Sequence, residues 1–181
     1  LRVQNRAGDV HDGKASLPFL RDLWAQVGTT PTAATTVRFR MDGAFFRRDV
    51  LTLLERQGAE YAIKVPFYPW LGLKARVQQT PVWTRVTATV SCAEHTITVT
   101  PWERDLRVVL YRTQVQHETA KNFQLDLFSP DDGHYEYSAV ATNKTLGGAA
   151  LGAVGLHGRD PRQGPEGVPA PVARHVLRLV L

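Results

Sequence analysis

Residues 35–65 constrain the fold more than any other part of the sequence. Residues 35–42 alternate apolar and polar side chains, residues 45–57 carry apolar side chains at helical spacing before a glycine, and residues 60–65 alternate again. A period of two predicts strands, and a spacing of three and four predicts a helix. A helix is also predicted at residues 14–27. The order helix, strand, helix, strand indicates an α/β fold in which the two strands pair in parallel.

Asp42 stands at the C-terminal end of the first predicted strand, directly before Gly43. A carboxylate in this position can reach a ligand or metal ion in the crevice outside the sheet, and the glycine lets the backbone turn sharply behind it. Asp is also a favoured N-cap residue. Because caps are commoner than catalytic sites, the local pattern by itself favours a cap and leaves the ligand interpretation open.

The sequence becomes rich in Val, Thr and aromatic residues after the second predicted strand. Residues 67–77 are compatible with a short helix after an aromatic turn. We expect Trp70, Trp83 and Trp102 to be buried in this region rather than to stack on bases. A β meander is predicted by three segments of high strand propensity, at residues 82–90, 96–102 and 106–111. Residues 124–127 alternate apolar and polar side chains, and residues 131–134 are expected to form the turn that leads into residues 135–142.

Composition places the chain among ordinary globular proteins. With 181 residues, 43% of them hydrophobic, it can bury one core, so a single domain with an insertion is expected. No run of 18 apolar residues occurs and the first residues lack a signal pattern, which favours a cytoplasmic location without membrane insertion. Cys92 is the only cysteine, so an intrachain disulfide and a cysteine-based metal cluster are excluded.

The chain is moderately basic. It contains 22 Lys and Arg against 17 Asp and Glu, and its isoelectric point is near 9.7. A basic balance is compatible with a polyanionic partner, and guanidinium groups suit phosphate oxygens. A solvated surface is the alternative for each arginine. The candidates for phosphate contact are Arg38, Arg40, Arg47, Arg48, Arg56, Arg76, Arg85, Arg104, Arg107 and Arg112.

Several segments of the sequence match, in the right order, the motifs of one known family. Residues 40–46 read Arg-Met-Asp-Gly-Ala-Phe-Phe and are followed by residues 51–58 and 60–64. They resemble the second-aspartate region of bacterial insertion-sequence transposases of the DDE group, which reads roughly R-x-D-[SGA]-[GA]-F and continues through a helix to a strand of the type Y-x-[IV]. The resemblance covers about residues 1–146. Its other matching segments are residues 1–12, 123–128 and 135–143.

The resemblance implies a fold, a chemistry and a partner. The fold is an RNase H-like mixed sheet with flanking helices and a β-rich insertion at about residues 67–128, within a partial catalytic domain at residues 1–147. The chemistry is phosphoryl transfer with Mg²⁺ or Mn²⁺, in which Asp42 is a catalytic residue and a metal ligand. The partner is DNA at the insertion-sequence ends. Thr142 and Asn143 are expected to lie beside this site and support it.

The other two acids of the family are not identifiable. The first aspartate is expected upstream of residue 1, and the catalytic glutamate is expected on a helix after the strand that ends at Asn143. Residues 151–181 contain instead five Gly, four Pro, no Lys and no aromatic residue, a sharp break in composition.

A shifted reading frame explains this break. Residues 151–168, back-translated with permitted codons and read one base later, can yield W-A-L-W-A-F-M-A-G-T-H-D-K-V-L-K-E, which is similar to the family's L-W-x-F-M-x-G-R-G-T-H-E-K-V-x-x-E-L. We therefore expect residues 148–181 to form an irregular, out-of-frame tail that lacks stable packing from about residue 148. Only residues 172–181 are apolar enough for a short helix or strand. Glu166 is not expected to be the third acid.

Two functions follow from these expectations. The first is a fragment of a DNA strand-transfer enzyme that is inactive as this chain, because a two-metal site needs several carboxylates. The alternative is a non-catalytic remnant that binds DNA.

Overall fold

The computed structural model describes residues 12–28, 36–114, 134–155 and 176–180. Helices within these ranges are α1 (Asp12–Gly28), α2 (Arg48–Arg56), α3 (Leu73–Gln79) and α4 (Gly148–Gly155). The strands are β1 (Thr36–Met41), β2 (Glu60–Lys64), β3 (Thr84–Arg85), β4 (Val90–Val99), β5 (Arg104–Gln114), β6 (Tyr135–Thr142) and β7 (Val176–Val180). Across the described ranges, the strands form one mixed sheet of order β3-β4-β5-β6-β2-β1-β7, so the fold is α/β.

The first half of the chain forms the predicted helix, strand, helix and strand. β1 and β2 pair in parallel, with Met41 beside Ile63. Every second residue of each strand is buried, and α2 buries Val50, Leu51 and Leu54 against them. The helix predicted at residues 45–57 is instead a 3-10 turn at Gly43–Phe45 followed by α2.

The second half forms the predicted antiparallel meander, with two differences. Residues 96–102 were expected to be a strand, but β4 runs from Val90 to Val99 and Thr100–Trp102 is a 3-10 turn. Residues 82–90 were expected to be a strand, but only Thr84–Arg85 pairs before β4 begins at Val90. The hydroxyl oxygen of Thr87 accepts hydrogen bonds from the backbone N–H groups of Thr89 and Val90, at 3.4 and 3.1 Å. Such local side-chain bonds compete with strand pairing, which turns the chain despite its high strand propensity.

The β-rich segment extends the same sheet. β4 pairs with β5, β5 with β6, and β6 with β2, all antiparallel. The described strands of the predicted insertion at about 67–128 therefore belong to the same sheet as β1 and β2.

The sheet is covered on both faces. Successive residues of a strand point to opposite faces. Val108 and Leu110 of β5 join the main core, which includes Phe39, Tyr61 and buried residues of α1 and α2. On the other face, a smaller cluster consists of Val90, Cys92, Val109 and Tyr111, with Ala149 of α4 packed against it.

The expectation that packing ends at about residue 148 is wrong for residues 148–152. Leu151 is 5% exposed, and the Tyr111 hydroxyl donates a hydrogen bond of 3.0 Å to the carbonyl of Gly148. A Cβ at Gly148 would lie 2.8 Å from Val109, and one at Gly152 would lie 2.6 Å from the Tyr111 ring. The two glycines therefore allow α4 to approach β5 closely, and this contact stabilises a helix of weak intrinsic propensity.

The C-terminal residues 176–180 form β7, which pairs in parallel with β1. β7 lies within residues 172–181, the part of the tail that is apolar enough for a short helix or strand. The expectation of an irregular tail is therefore wrong for residues 148–155 and 176–180. Residues 156–175, including Glu166, and the matching segments at 1–11 and 123–128 lie outside the described ranges. Among the described residues, no helix combines the length and the apolar character that a membrane span requires.

Candidate functional site at the end of β1

Asp42 follows the last residue of β1, and it is exposed. Its Oδ1 accepts a hydrogen bond of 2.9 Å from the backbone N–H of Ala44. Asp42 therefore caps the 3-10 turn Gly43–Phe45, as the local sequence pattern favours. Because an ionised carboxylate offers about four lone-pair positions, this bond leaves acceptor capacity for a further ligand.

The position of Asp42 in the sheet agrees with the prediction. Met41 pairs with Ile63, so Asp42 is level with Lys64, the last residue of β2. The carboxyl ends of parallel strands meet at one edge of a sheet, where ligands of open α/β folds bind. The carboxylate thus lies at the predicted edge, and its role as a metal ligand stays a prediction.

The residues around Asp42 do not complete a metal site. In the part of the chain that the structure describes, no three His, Cys, Asp or Glu side chains come together. The neighbouring strand end supplies Lys64, a cationic residue, rather than a second carboxylate. Two-metal phosphoryl transfer needs several carboxylates. Asp42 alone therefore does not fit a two-metal centre.

Thr142 and Asn143 hold the start of β2, not Asp42. The Thr142 hydroxyl donates to the carbonyl of Tyr61 at 2.6 Å, and Asn143 Oδ1 accepts the N–H of Tyr61 at 2.8 Å. Asn143 Nδ2 donates to the carbonyl of Ala59 at 2.8 Å. Tyr61 is level with the residue three positions before Asp42, about 10 Å along the strand. The predicted supporting role beside Asp42 is therefore wrong.

The tryptophans differ in burial. Trp70 is 49% exposed, so its predicted burial is wrong. Its ring stacks on Tyr68, with ring centres 5.7 Å apart. Trp83 and Trp102 are half-buried and pack against the main core, in agreement with the prediction.

A cleft lies between α1 and α2, and one of its lining residues is Phe46, four residues after Asp42. We call it the arginine cleft and define it by Arg21, Phe46, Arg47, Arg48, Arg56 and Trp102; its volume is about 610 Å³. The sequence identified Arg47, Arg48 and Arg56 as candidates for phosphate contact. It did not group Arg21 with them, because the cleft exists only after α1 packs on α2.

Two comparisons with known proteins were negative. No protein-family model matches the chain, and a search of curated proteins finds no match. A function for the chain therefore rests on its motifs and on the chemistry of the two sites described above.

Proposed function

We propose that the chain is part of an insertion-sequence transposase of the DDE group, with an RNase H-like fold. The observation that carries this proposal is Asp42, which is exposed at the C-terminal end of β1 beside the parallel strand β2. The surrounding residues 40–46 are similar to the family's second-aspartate region. The mixed sheet with helices against it supports the proposal, because it is the arrangement that the resemblance implies.

The proposed activity of the whole transposase is DNA strand transfer with Mg²⁺ or Mn²⁺ at insertion-sequence ends in the cytoplasm. Asp42 supplies one carboxylate. The described residues bring no second acid to it, so we propose that this chain alone does not cleave or join DNA.

The experiment that tests this proposal uses a longer chain, which includes residues encoded by the neighbouring DNA. The upstream segment and the alternative frame after residue 147 are restored, and transposition of a DNA segment with the matching inverted repeats is measured. Metal-dependent transposition that Asp42→Asn abolishes is the expected result. An extended chain whose activity is unchanged by Asp42→Asn would exclude Asp42 from the site.

The second candidate function is DNA binding without catalysis. The arginine cleft favours it, because Arg21, Arg48 and Arg56 are exposed cations that line one concave surface. The two candidates differ in their dependence on Asp42. DNA binding that persists after Asp42→Asn, together with no transposition by any extended chain, would favour the second candidate, a non-catalytic DNA-binding remnant.

A further inference from the structure

The charges of the arginine cleft do not cancel. Arg47 binds Asp49 in a bidentate pair, with Nε to Oδ1 at 3.0 Å and Nη2 to Oδ2 at 2.7 Å. Burial raises the pKa of Asp49, but the hydrogen bond and charge of Arg47 outweigh it, so the pKa lies below its usual value. Asp49 is therefore a carboxylate at neutral pH, and its charge and that of Arg47 offset each other.

Three further arginines give the cleft its net positive charge. Within the described residues, no ion pair or hydrogen bond engages the side chains of Arg21, Arg48 or Arg56, and all three are exposed. A cleft with a net positive charge and apolar walls concentrates the field and attracts counter-ions. The expected ligand is therefore an anion with more than one charge.

The spacing of the arginines suits a chain of phosphates. Arg48 and Arg56 are eight residues apart on α2, which corresponds to about 12 Å along the helix. One DNA strand carries a phosphate about every 3.4 Å along the duplex axis, so about 12 Å spans three to four nucleotides. Arg21 adds a third guanidinium from α1. Guanidinium forks bind phosphate oxygens in bidentate geometry.

Half-buried Leu17, Leu53 and Trp102 add an apolar surface to the cleft, and Phe46, which is 5% exposed, packs against Trp102. The rings of Phe46 and Trp102 pack with centres 4.9 Å apart at an angle of 43°. Both residues line the cleft together with Leu17 and Leu53. Carbon atoms of a sugar can pack on such a surface, whereas a small inorganic anion would leave it uncovered.

We propose that the arginine cleft binds the sugar-phosphate backbone of duplex DNA, at a site separate from Asp42. Arg21, Arg48 and Arg56 each contact a phosphate group. Because these contacts involve no base edges, the site binds DNA without sequence preference. The choice of DNA as the polyanion rests on the proposed function, whereas the site itself rests on the charges and shape of the cleft.

The test is the salt dependence of binding to a duplex oligonucleotide of arbitrary sequence, measured by fluorescence anisotropy with the full chain. Each phosphate contact contributes about 0.9 to the slope of log K against log salt concentration. The double variant Arg48→Gln, Arg56→Gln should therefore reduce the slope by about 1.8, and Arg21→Gln by about 0.9. Circular dichroism verifies that each variant is folded.

The matched control for Arg21→Gln is Lys74→Gln, which neutralises one exposed cation outside the cleft, and its slope should equal that of the parent. A cleft variant indistinguishable from this control would overturn the proposal. A polyglutamate peptide that displaces DNA at equal charge concentration would also overturn it, in favour of an acidic protein partner. An extended chain that binds DNA through the cleft but does not catalyse transposition would contradict the proposed transposase activity. The same result would support the proposed DNA-binding site.

Discussion

Asp42 uses one carboxylate oxygen to cap a turn, and this determines which substitution isolates its other roles. The acceptor of the Ala44 N–H is Oδ1 alone. Asparagine retains a carbonyl oxygen and is as good a cap as aspartate, whereas alanine removes the acceptor.

Substitution of Asp42 should therefore affect stability in a way that depends on the cap. Asp42→Ala should lower the free energy of unfolding by about 0.5–2 kcal/mol, and Asp42→Asn by at most a few tenths. Urea denaturation measures both values. Equal losses in the two variants would show that the charge of the carboxylate, and not the cap, stabilises the turn.

Asn143 is the second residue whose role the structure defines. Asn143→Ala leaves the N–H of Tyr61 and the carbonyl of Ala59 without their partners. Each unsatisfied buried group costs about 1–3 kcal/mol, so urea denaturation should show a loss of at least about 1 kcal/mol. Asn143→Asp keeps the acceptor for Tyr61 and should lose less. An alanine variant as stable as the parent would refute this role.

At the scale of elements, segments with a regular spacing of apolar residues were predicted correctly, whereas a segment without such a spacing was missed. β1, α2 and β2 were predicted within a few residues, because their apolar residues follow one period and are buried together. α4 was missed because glycine-rich segments have low helix propensity, and its stability depends on contact with Tyr111 in distant β5.

The close approach of α4 to β5 gives a prediction opposite to helix propensity. Gly152→Ala should raise stability by about 1 kcal/mol on propensity alone. The new Cβ would lie 2.6 Å from the Tyr111 ring, so we expect a net loss of about 1–3 kcal/mol from overpacking. In the control Gly147→Ala, the Cβ would meet only Glu94, at 3.7 Å, and stability should change little. A stabilised Gly152→Ala variant would contradict the docking of α4.

Glu94 and Arg107 together fix the segment that leads into α4. Arg107 Nη2 donates to Glu94 Oε2 at 2.7 Å and to the carbonyl of Leu146 at 2.7 Å, and Nη1 donates to the carbonyl of Lys144. The backbone N–H of Gly148 donates to Glu94 Oε1. The hydrogen bond from Arg107, followed by that from Gly148, lowers the pKa of Glu94 from its ordinary value of 4.5.

This shift predicts a pH dependence. A carboxylate with a lower pKa in the folded state contributes stability that is fully present above its unfolded pKa and is lost as the pH falls through the folded value. The difference in unfolding free energy between the parent and Glu94→Gln should therefore be constant well above pH 4.5 and shrink below it. Denaturant titrations over a pH series measure this difference. A constant difference throughout the acidic range would contradict the prediction.

At the scale of the whole molecule, the two candidate sites differ in how well the sequence predicted them. Asp42 was placed at the end of β1 because a strand period and the following glycine are local signals. The arginine cleft combines Arg21 of α1 with Arg48 and Arg56 of α2, which come together only through tertiary packing. Local periodicity carries no information about such a surface.

We propose that this chain is part of a DNA strand-transfer enzyme, and its described residues do not bring to Asp42 the further carboxylates that catalysis needs. The most direct measurement is cleavage and joining of end-labelled insertion-sequence DNA by the purified 181-residue chain in Mg²⁺ or Mn²⁺. We expect no cleaved or joined product with either metal. Metal-dependent strand transfer by this chain, abolished by Asp42→Asn, would contradict the account.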